Sequence, residues 1–185
     1  MEMDRIMNNR WYKNIKNFDD AYNYLLDKDF KDNEKIQDLL SSYLNCLPGS
    51  YEEKVSKLRI IVSSLKFNVP FDNIECAYTP RFTFFSVDEA SLKTLKESYN
   101  DNYNRYVGVI SLLNKNYYVI SSIRTISTYL ISYSKPTSLH ALNSFMTFLN
   151  KDVAAHFLKF FVKEIFEVMY GGITDIDFNW KWENL

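Results

Sequence analysis

Residues 106–133 decide the fold class, and they read YVGVISLLNKNYYVISSIRTISTYLISY. Segments 106–113 and 117–124 are rich in β-branched and aromatic side chains and flank Asn114-Lys115-Asn116, a pattern that permits a β-hairpin. A second pattern overlaps the first, because apolar side chains recur at steps of four, three, four and three residues: Val119, Ile123, Ile126, Leu130 and Tyr133. That regular spacing is typical of one helix face. We therefore predict a helix here and keep the hairpin as the alternative.

Helical patterns flank this stretch on both sides. Towards the N-terminus we predict three helices. The first covers 18–26 and is capped by Asn17, and the second begins at about residue 33 with Asn33 or Asp32 as its cap. The third begins at Ser50, which forms a capping box with Glu53, and ends at Lys66. Ser86 with Glu89 opens a fourth helix over 87–99. Towards the C-terminus, a helix from Thr137 or Ser138 and another over 153–170 form a helical hairpin. Residues 81–85 alternate and can form a short strand.

The whole pattern predicts a mainly α fold. We expect a single compact helical domain of about seven helices over residues 1–172 and an aromatic, acidic tail over 173–185. A short strand or hairpin near 81–85 and 106–124 is the alternative. Residues 106–150 contain Lys115, Arg124 and Lys135 and no acidic residue, so we place the central core in this stretch.

Composition excludes several kinds of enzyme. The 185 residues include four glycines, which are too sparse for a Rossmann or Walker-type phosphate loop. The two histidines, His140 and His156, and the two cysteines, Cys46 and Cys76, are too few for a complete metal site or nucleophilic triad. We therefore predict a protein that is not an enzyme, with no catalytic residue, no metal and no cofactor.

The C-terminal tail is the strongest candidate for a partner-binding segment. Four large apolar residues lie within its last eight positions: Phe178, Trp180, Trp182 and Leu185. Large aromatic side chains of this kind are enriched at protein interfaces. We expect them to bind a protein partner or a second copy of the chain. In the alternative, the tail folds back onto its own domain.

Nucleic acid is the weaker candidate ligand. Basic and aromatic residues occur together in three places, as stacking surfaces require: Arg10 with Trp11, Arg81 within the aromatic segment 81–85, and Arg105 with Tyr106. The formal net charge is −1 and the isoelectric point is about 6.1. A protein that binds phosphate is usually basic, so the charge balance disfavours this role.

Location and source are indicated by composition alone. Residues 1–16 are charged throughout and do not form a signal peptide, and the chain contains no apolar run long enough to span a membrane. We expect a soluble intracellular or cytoplasmic protein. The abundance of Asn, Lys, Ile, Tyr and Phe is typical of AT-rich codons, which favours a viral or phage protein located in the host cell or virion.

Residues 168–178 read VMYGGITDIDF, and Gly171-Gly172 with its aromatic neighbours resembles the second Bcl-2 homology motif. Chain length and the helical pattern also resemble the Bcl-2-like host-modulating proteins of poxviruses. The resemblance implies a helical protein that modulates a host pathway. The N-W-G-R segment of the first motif is absent, and no site residue is transferred.

We therefore predict a non-enzymatic protein–protein interaction or assembly module, a viral or phage accessory or structural protein. The alternatives are a host-pathway modulator of the poxvirus Bcl-2-like type and a nucleic-acid-binding accessory protein.

Overall fold

The structure is a computed structural model, and it describes residues 11–27, 33–66, 76–91, 93, 105–112, 115–127, 145–170 and 176–177. The chain divides into two compact units, Met1–Pro70 and Phe71–Leu185. The single domain over 1–172 stays a prediction, and residue 172 lies outside the described ranges.

The first unit is helical. A 3-10 turn over Trp11–Asn14 precedes three α-helices: α1 (Phe18–Leu26), α2 (Glu34–Leu44) and α3 (Tyr51–Lys66). The side chains of Asn17 and Asn33 accept hydrogen bonds from the backbone N–H groups three residues ahead, as N-cap residues do. The predicted helices and caps of this region are confirmed.

Helix α3 is the centre of the first unit, because both α1 and α2 pack against it. Each helix contributes apolar side chains to the core, and Ile15 just before α1 adds another. The buried apolar side chains among the described residues of this unit are Ile15, Ala21, Leu25, Ile36, Leu40, Leu58, Ile60, Ile61, Val62 and Leu65. Burial of this apolar surface is the main source of stability for helices of such length, since short helices are marginal by themselves in water.

The second unit contains a four-stranded antiparallel sheet. Its strands are β1 (Cys76–Ser86), β2 (Arg105–Leu112), β3 (Lys115–Ser127) and β4 (Ile176–Asp177), in the order β1-β3-β2-β4. Strand β3 pairs with β1 along the whole of β1, from Cys76 opposite Ser127 to Ser86 opposite Tyr117. Strand β2 pairs with β3 as a hairpin, with a bulge between Tyr106 and Gly108.

The prediction of a mainly α fold is therefore wrong, and the protein is mixed α/β. The choice of a helix for 106–133 caused the error. The alternative, a hairpin over 106–124, agrees with β2 and β3. The helical spacing was coincidental: Val119 and Ile126 are an odd number of residues apart, so in β3 they lie on opposite faces of the sheet. Tyr118, Val119 and Ile120 are buried in succession, so both faces of the sheet are covered at this part of β3 and a run of apolar residues suits the strand.

Two helices pack with the sheet: α4 (Lys151–Phe160) and α5 (Val162–Tyr170). The prediction placed one continuous helix over 153–170, but the chain breaks at the buried Phe161, which has φ −122° and ψ 20°. Asn150 caps α4 by accepting hydrogen bonds from the N–H groups of Asp152 and Val153. Helix α4 packs on β1 and β3.

Two other predicted helices differ from the structure or lie outside it. The helix expected from Ser86 begins instead with Asp88, whose carboxylate accepts from the Ser91 N–H at 2.7 Å, and most of 87–99 lies outside the described residues. The helix expected from residue 137 lies mainly outside them too. At its end, Phe148 forms a β-bridge with Tyr78 through two hydrogen bonds of 2.7 Å.

Candidate protein-binding surface

The connection between α2 and α3, which we name the apolar turn (residues 44–51), is a tightly ordered segment. The N–H of Ser50 donates to the carbonyl of Leu47 at 3.1 Å, which closes a four-residue turn around Pro48 and Gly49. Gly49 has φ +78°, the left-handed conformation that the third position of a type II turn requires, and proline favours the second position. The local sequence therefore determines the shape of this turn.

Side chains hold the apolar turn to the start of α3. Ser50 Oγ accepts from the Glu53 N–H at 3.1 Å, and the Glu53 carboxylate accepts from the Gly49 N–H. This is close to a capping box, with the acid reaching one residue further back than usual. Cys46 Sγ lies 3.2 Å from the carbonyl of Ser42, and 3.5 Å from the Ser56 hydroxyl of α3. The turn is held in one conformation from both sides.

This ordered turn exposes large apolar side chains. Leu44 is 68% exposed, Leu47 is 77% exposed and Tyr51 is 48% exposed. Among the described residues, five large hydrophobic side chains are exposed, and three of these five belong to the apolar turn. Exposed apolar side chains that occur singly need no explanation, but a group of them on one short segment is typical of an interaction site.

The apolar turn carries no charge. Residues 39–51 contain no acidic or basic side chain. A neighbouring ion pair, Glu53 with Lys57 at 2.8 Å, is internally neutral. The hydrogen bond from Lys57 lowers the pKa of Glu53, helped by the Gly49 N–H, and the same bond raises the pKa of Lys57. Interface cores are depleted of charged residues in the same way.

Aromatic residues of the first unit mainly contact one another. Phe18 packs against Tyr43 with ring centroids 5.0 Å apart, and the ammonium group of Lys57 lies 5.5 Å from the Phe18 centroid and 5.9 Å from that of Tyr43. Trp11 stacks on Tyr24 at 5.4 Å, with 17° between the rings. These contacts join α1, α2 and α3, so part of the high aromatic content serves packing.

The predicted tail site lies outside the described residues. Phe178, Trp180, Trp182 and Leu185 are among the residues that the structure does not describe, so their role stays a prediction. Only two tail residues are described, Ile176 and Asp177. Their backbone pairs with Ile110 and Val109 of β2 as strand β4. This part of the tail therefore joins the sheet of its own chain.

The residues proposed for nucleic acid do not gather into one described site. Arg10 lies outside the described residues, and Trp11 is half-buried with its ring stacked on Tyr24. Arg81 is exposed on β1. Arg105 and Tyr106 begin β2, but their side chains lie outside the described part of the structure.

The residues weighed for metal or nucleophilic chemistry are placed only in part. His156 is buried in α4 with its ring 4.6 Å from Phe160, and His140 lies outside the described residues. Within the described ranges no group of three or more His, Cys, Asp or Glu side chains can hold a metal ion. None of the described helices is long and apolar enough to cross a membrane.

The chain matches no family model, and no curated protein or solved structure is significantly similar to it. The candidate surface consequently rests on the geometry of the chain itself. The apolar turn was not identified from the sequence. The feature of the sequence that could have indicated it is the uncharged stretch 39–51, which contains Leu44 at the end of α2 and Leu47 just after it.

Proposed function

We propose that this protein acts by binding another protein, and that the apolar turn is its contact surface. The single observation that carries the proposal is the exposure of Leu44 and Leu47 on a turn already held in one conformation. A side chain ordered before binding loses less conformational entropy when the complex forms, so the same apolar contact yields a higher affinity. The function is then that of a non-enzymatic interaction module.

The absence of charge around the apolar turn supports a partner with an uncharged, apolar contact site. A partner bound through apolar burial depends weakly on ionic strength, whereas nucleic acid dissociates steeply as salt rises. The tail residues Phe178, Trp180, Trp182 and Leu185 are a further proposed contact. A viral or phage origin, an intracellular location and the poxvirus Bcl-2-like alternative stay proposals of the sequence.

The test replaces the two most exposed leucines with serine, Leu44→Ser with Leu47→Ser. Each leucine buried in an interface contributes about 1.5–3 kcal/mol, so the double variant should bind its partner at least about tenfold more weakly. Because both side chains are exposed in the free protein, its melting temperature should stay close to that of the wild type. Captured proteins are identified by mass spectrometry, and the purified partner is then titrated by calorimetry.

Leu26→Ser is the matched control, since Leu26 is 52% exposed at the end of α1, outside the apolar turn. It should leave partner binding unchanged. Equal affinity of the double variant and the wild type for the purified partner would refute the proposal, as would an equal loss of binding in the Leu26 control. Raising the salt concentration should change the affinity by less than about threefold if the contact is apolar.

A further inference from the structure

The outer edge of β1 is a second feature that points to a binding partner. Strand β1 is the first in the sheet order, and β3 pairs with only one of its edges. At Tyr78, the backbone N–H and C=O both bond to Phe148 on the opposite side from β3. Backbone direction alternates along a strand, so every second residue after Tyr78 also points away from β3: Pro80, Phe82, Phe84 and Ser86.

A hydrogen bond at the other end of β1 confirms this alternation. The N–H of Val87 donates to the carbonyl of Asn116 in β3. Val87 therefore points towards β3, and Ser86 points away. Pro80 fits the same scheme: it has no N–H, and prolines within sheets are confined to positions where that group would face outward.

Only two of the outward-pointing residues offer both backbone groups. Pro80 has no donor, and the carbonyl of Ser86 already accepts from the N–H of Asp88 at 3.0 Å. Within the described part of the chain, Phe82 and Phe84 have no hydrogen-bond partner for their outward N–H and C=O groups. Their rings are packed against Phe166 of α5, at 5.5 Å and 6.5 Å. An open strand edge of this kind is a template for another strand.

We propose that this edge binds β1 of a second copy of the chain, as an antiparallel pair related by a two-fold axis at Thr83. The register follows from the free backbone groups. In this register Phe82 of each chain pairs with Phe84 of the other chain. The outward N–H and C=O groups of both residues then all have hydrogen-bond partners. An axis at Phe82 would place Phe84 opposite Pro80, which lacks a donor. An axis at Phe84 would place Phe82 opposite Ser86, whose carbonyl is already used.

The charges on β1 also fit a second copy. The strand contains one charged residue, Arg81, which is exposed. With the axis at Thr83, Arg81 lies across from Phe85 of the second copy and not from its arginine, so no like charges meet. A guanidinium group next to an aromatic ring is itself a favourable contact. The product is one continuous sheet shared by two chains, with an isologous interface.

The first experiment compares Phe84→Pro with Phe84→Ala by sedimentation equilibrium of the purified full chain. Both variants lose the same ring contacts with Phe166 and Tyr170. Only proline removes the outward N–H, and it leaves the β1–β3 ladder intact because this N–H faces away from β3. We expect dimers for the wild type and for Phe84→Ala, and a monomer for Phe84→Pro with the circular dichroism spectrum of Phe84→Ala.

A cross-linking experiment keeps the proposal testable if Phe84→Pro does not fold. In a background where Cys46 and Cys76 are serine, Thr83→Cys places two thiols at the axis, in a non-hydrogen-bonded pair with Cα atoms about 4.5 Å apart, which suits a disulfide. In the control Arg81→Cys, the two Cα atoms lie about 14 Å apart, which is too far. Oxidation should yield a covalent dimer with Thr83→Cys only.

Three results would overturn the inference. The wild-type chain could be monomeric at every concentration, the Phe84→Pro variant could still form dimers, or Arg81→Cys could yield as much covalent dimer as Thr83→Cys. The outcome is independent of the proposed partner-binding function. The double substitution at Leu44 and Leu47 should leave the dimer unchanged, and Phe84→Pro should leave the apolar turn and its affinity for a monovalent partner unchanged.

Discussion

Thr79 shows how the packing around a single residue affects the stability of the sheet. Its side chain is 5% exposed in β1, and within the described part of the chain its hydroxyl oxygen Oγ1 has no hydrogen-bond partner. A buried hydroxyl that has lost its water and gained no partner costs about 1–3 kcal/mol. The strand tolerates this cost because the β-branched shape of threonine suits a pleated, buried position.

Replacing Thr79 with valine should therefore stabilise the protein. Valine keeps the shape and removes the unpaired hydroxyl, so we expect the free energy of unfolding to rise by about 1–2 kcal/mol in urea titrations followed by circular dichroism. Thr125→Val is the control: Thr125 is exposed on β3 and its hydroxyl is solvated, so the change there should stay within about 0.5 kcal/mol. A loss of stability in Thr79→Val would show that the hydroxyl has a stabilising partner.

Among the helices, α3 has the most completely specified beginning. Gly49 provides the left-handed backbone, Ser50 caps the N–H of Glu53, and Glu53 accepts from the N–H of Gly49 and pairs with Lys57. These contacts begin the helix on which α1 and α2 pack. They also order the apolar turn, so the stability of α3 and the presentation of Leu44 and Leu47 depend on the same few residues.

Removing the cap of α3 should weaken the first unit. Ser50→Ala deletes the oxygen that accepts from the Glu53 N–H, and such N-cap substitutions cost about 1 kcal/mol. We expect a loss of this size in the free energy of unfolding and a lower melting temperature. Ser41→Ala, at an exposed position within α2, should cause no loss, because alanine is the better helix former there. Equal effects of the two substitutions would contradict the role of Ser50 as a cap.

At the scale of the whole molecule, the net charge of −1 says little about local electrostatics. Burial lowers the pKa of Lys66, at the end of α3, from 10.5 to about 8. At a pH between about 8 and 10.5, Lys66 is protonated in the unfolded chain but has lost its proton in the folded chain. The free energy of unfolding therefore rises as the pH increases from about 8 to about 10. The raised pKa values of Tyr118 and Tyr170, also caused mainly by burial, reduce stability only above about pH 10.

Lys66→Met tests this pH dependence. One pKa unit corresponds to about 1.4 kcal/mol, so the wild type should gain up to about 3 kcal/mol between about pH 7 and about pH 10 in urea titrations. The methionine variant should lack this rise and be more stable than the wild type at neutral pH, since it buries no charge. A flat wild-type profile, or the same slope in both proteins, would show that Lys66 keeps its proton when folded.

Much of the helical structure was predictable from local sequence, whereas the strands at 81–85 and 106–124 could be offered only as an alternative to helix. Asn17, Asn33 and Ser50 carry short polar side chains that favour the N-cap position, so these three helix starts could be placed correctly. The break between α4 and α5 at Phe161 has no such local signal. The apolar turn was missed as a site because exposure of Leu44 and Leu47 depends on what the rest of the fold leaves uncovered.

The sequence alone determined the helix caps, the positive φ at Gly49 and the uncharged character of residues 39–51, because each of these depends on neighbouring residues in the chain. Only the tertiary structure decided that residues 105–127 form two strands. The same β-branched and aromatic residues fit either period, and the choice was made by the partners of β3, which are β1 on one edge and β2 on the other. The hydrogen bonds between β1 and β3 join residues distant in sequence, such as Cys76 and Ser127, so no local pattern contains them.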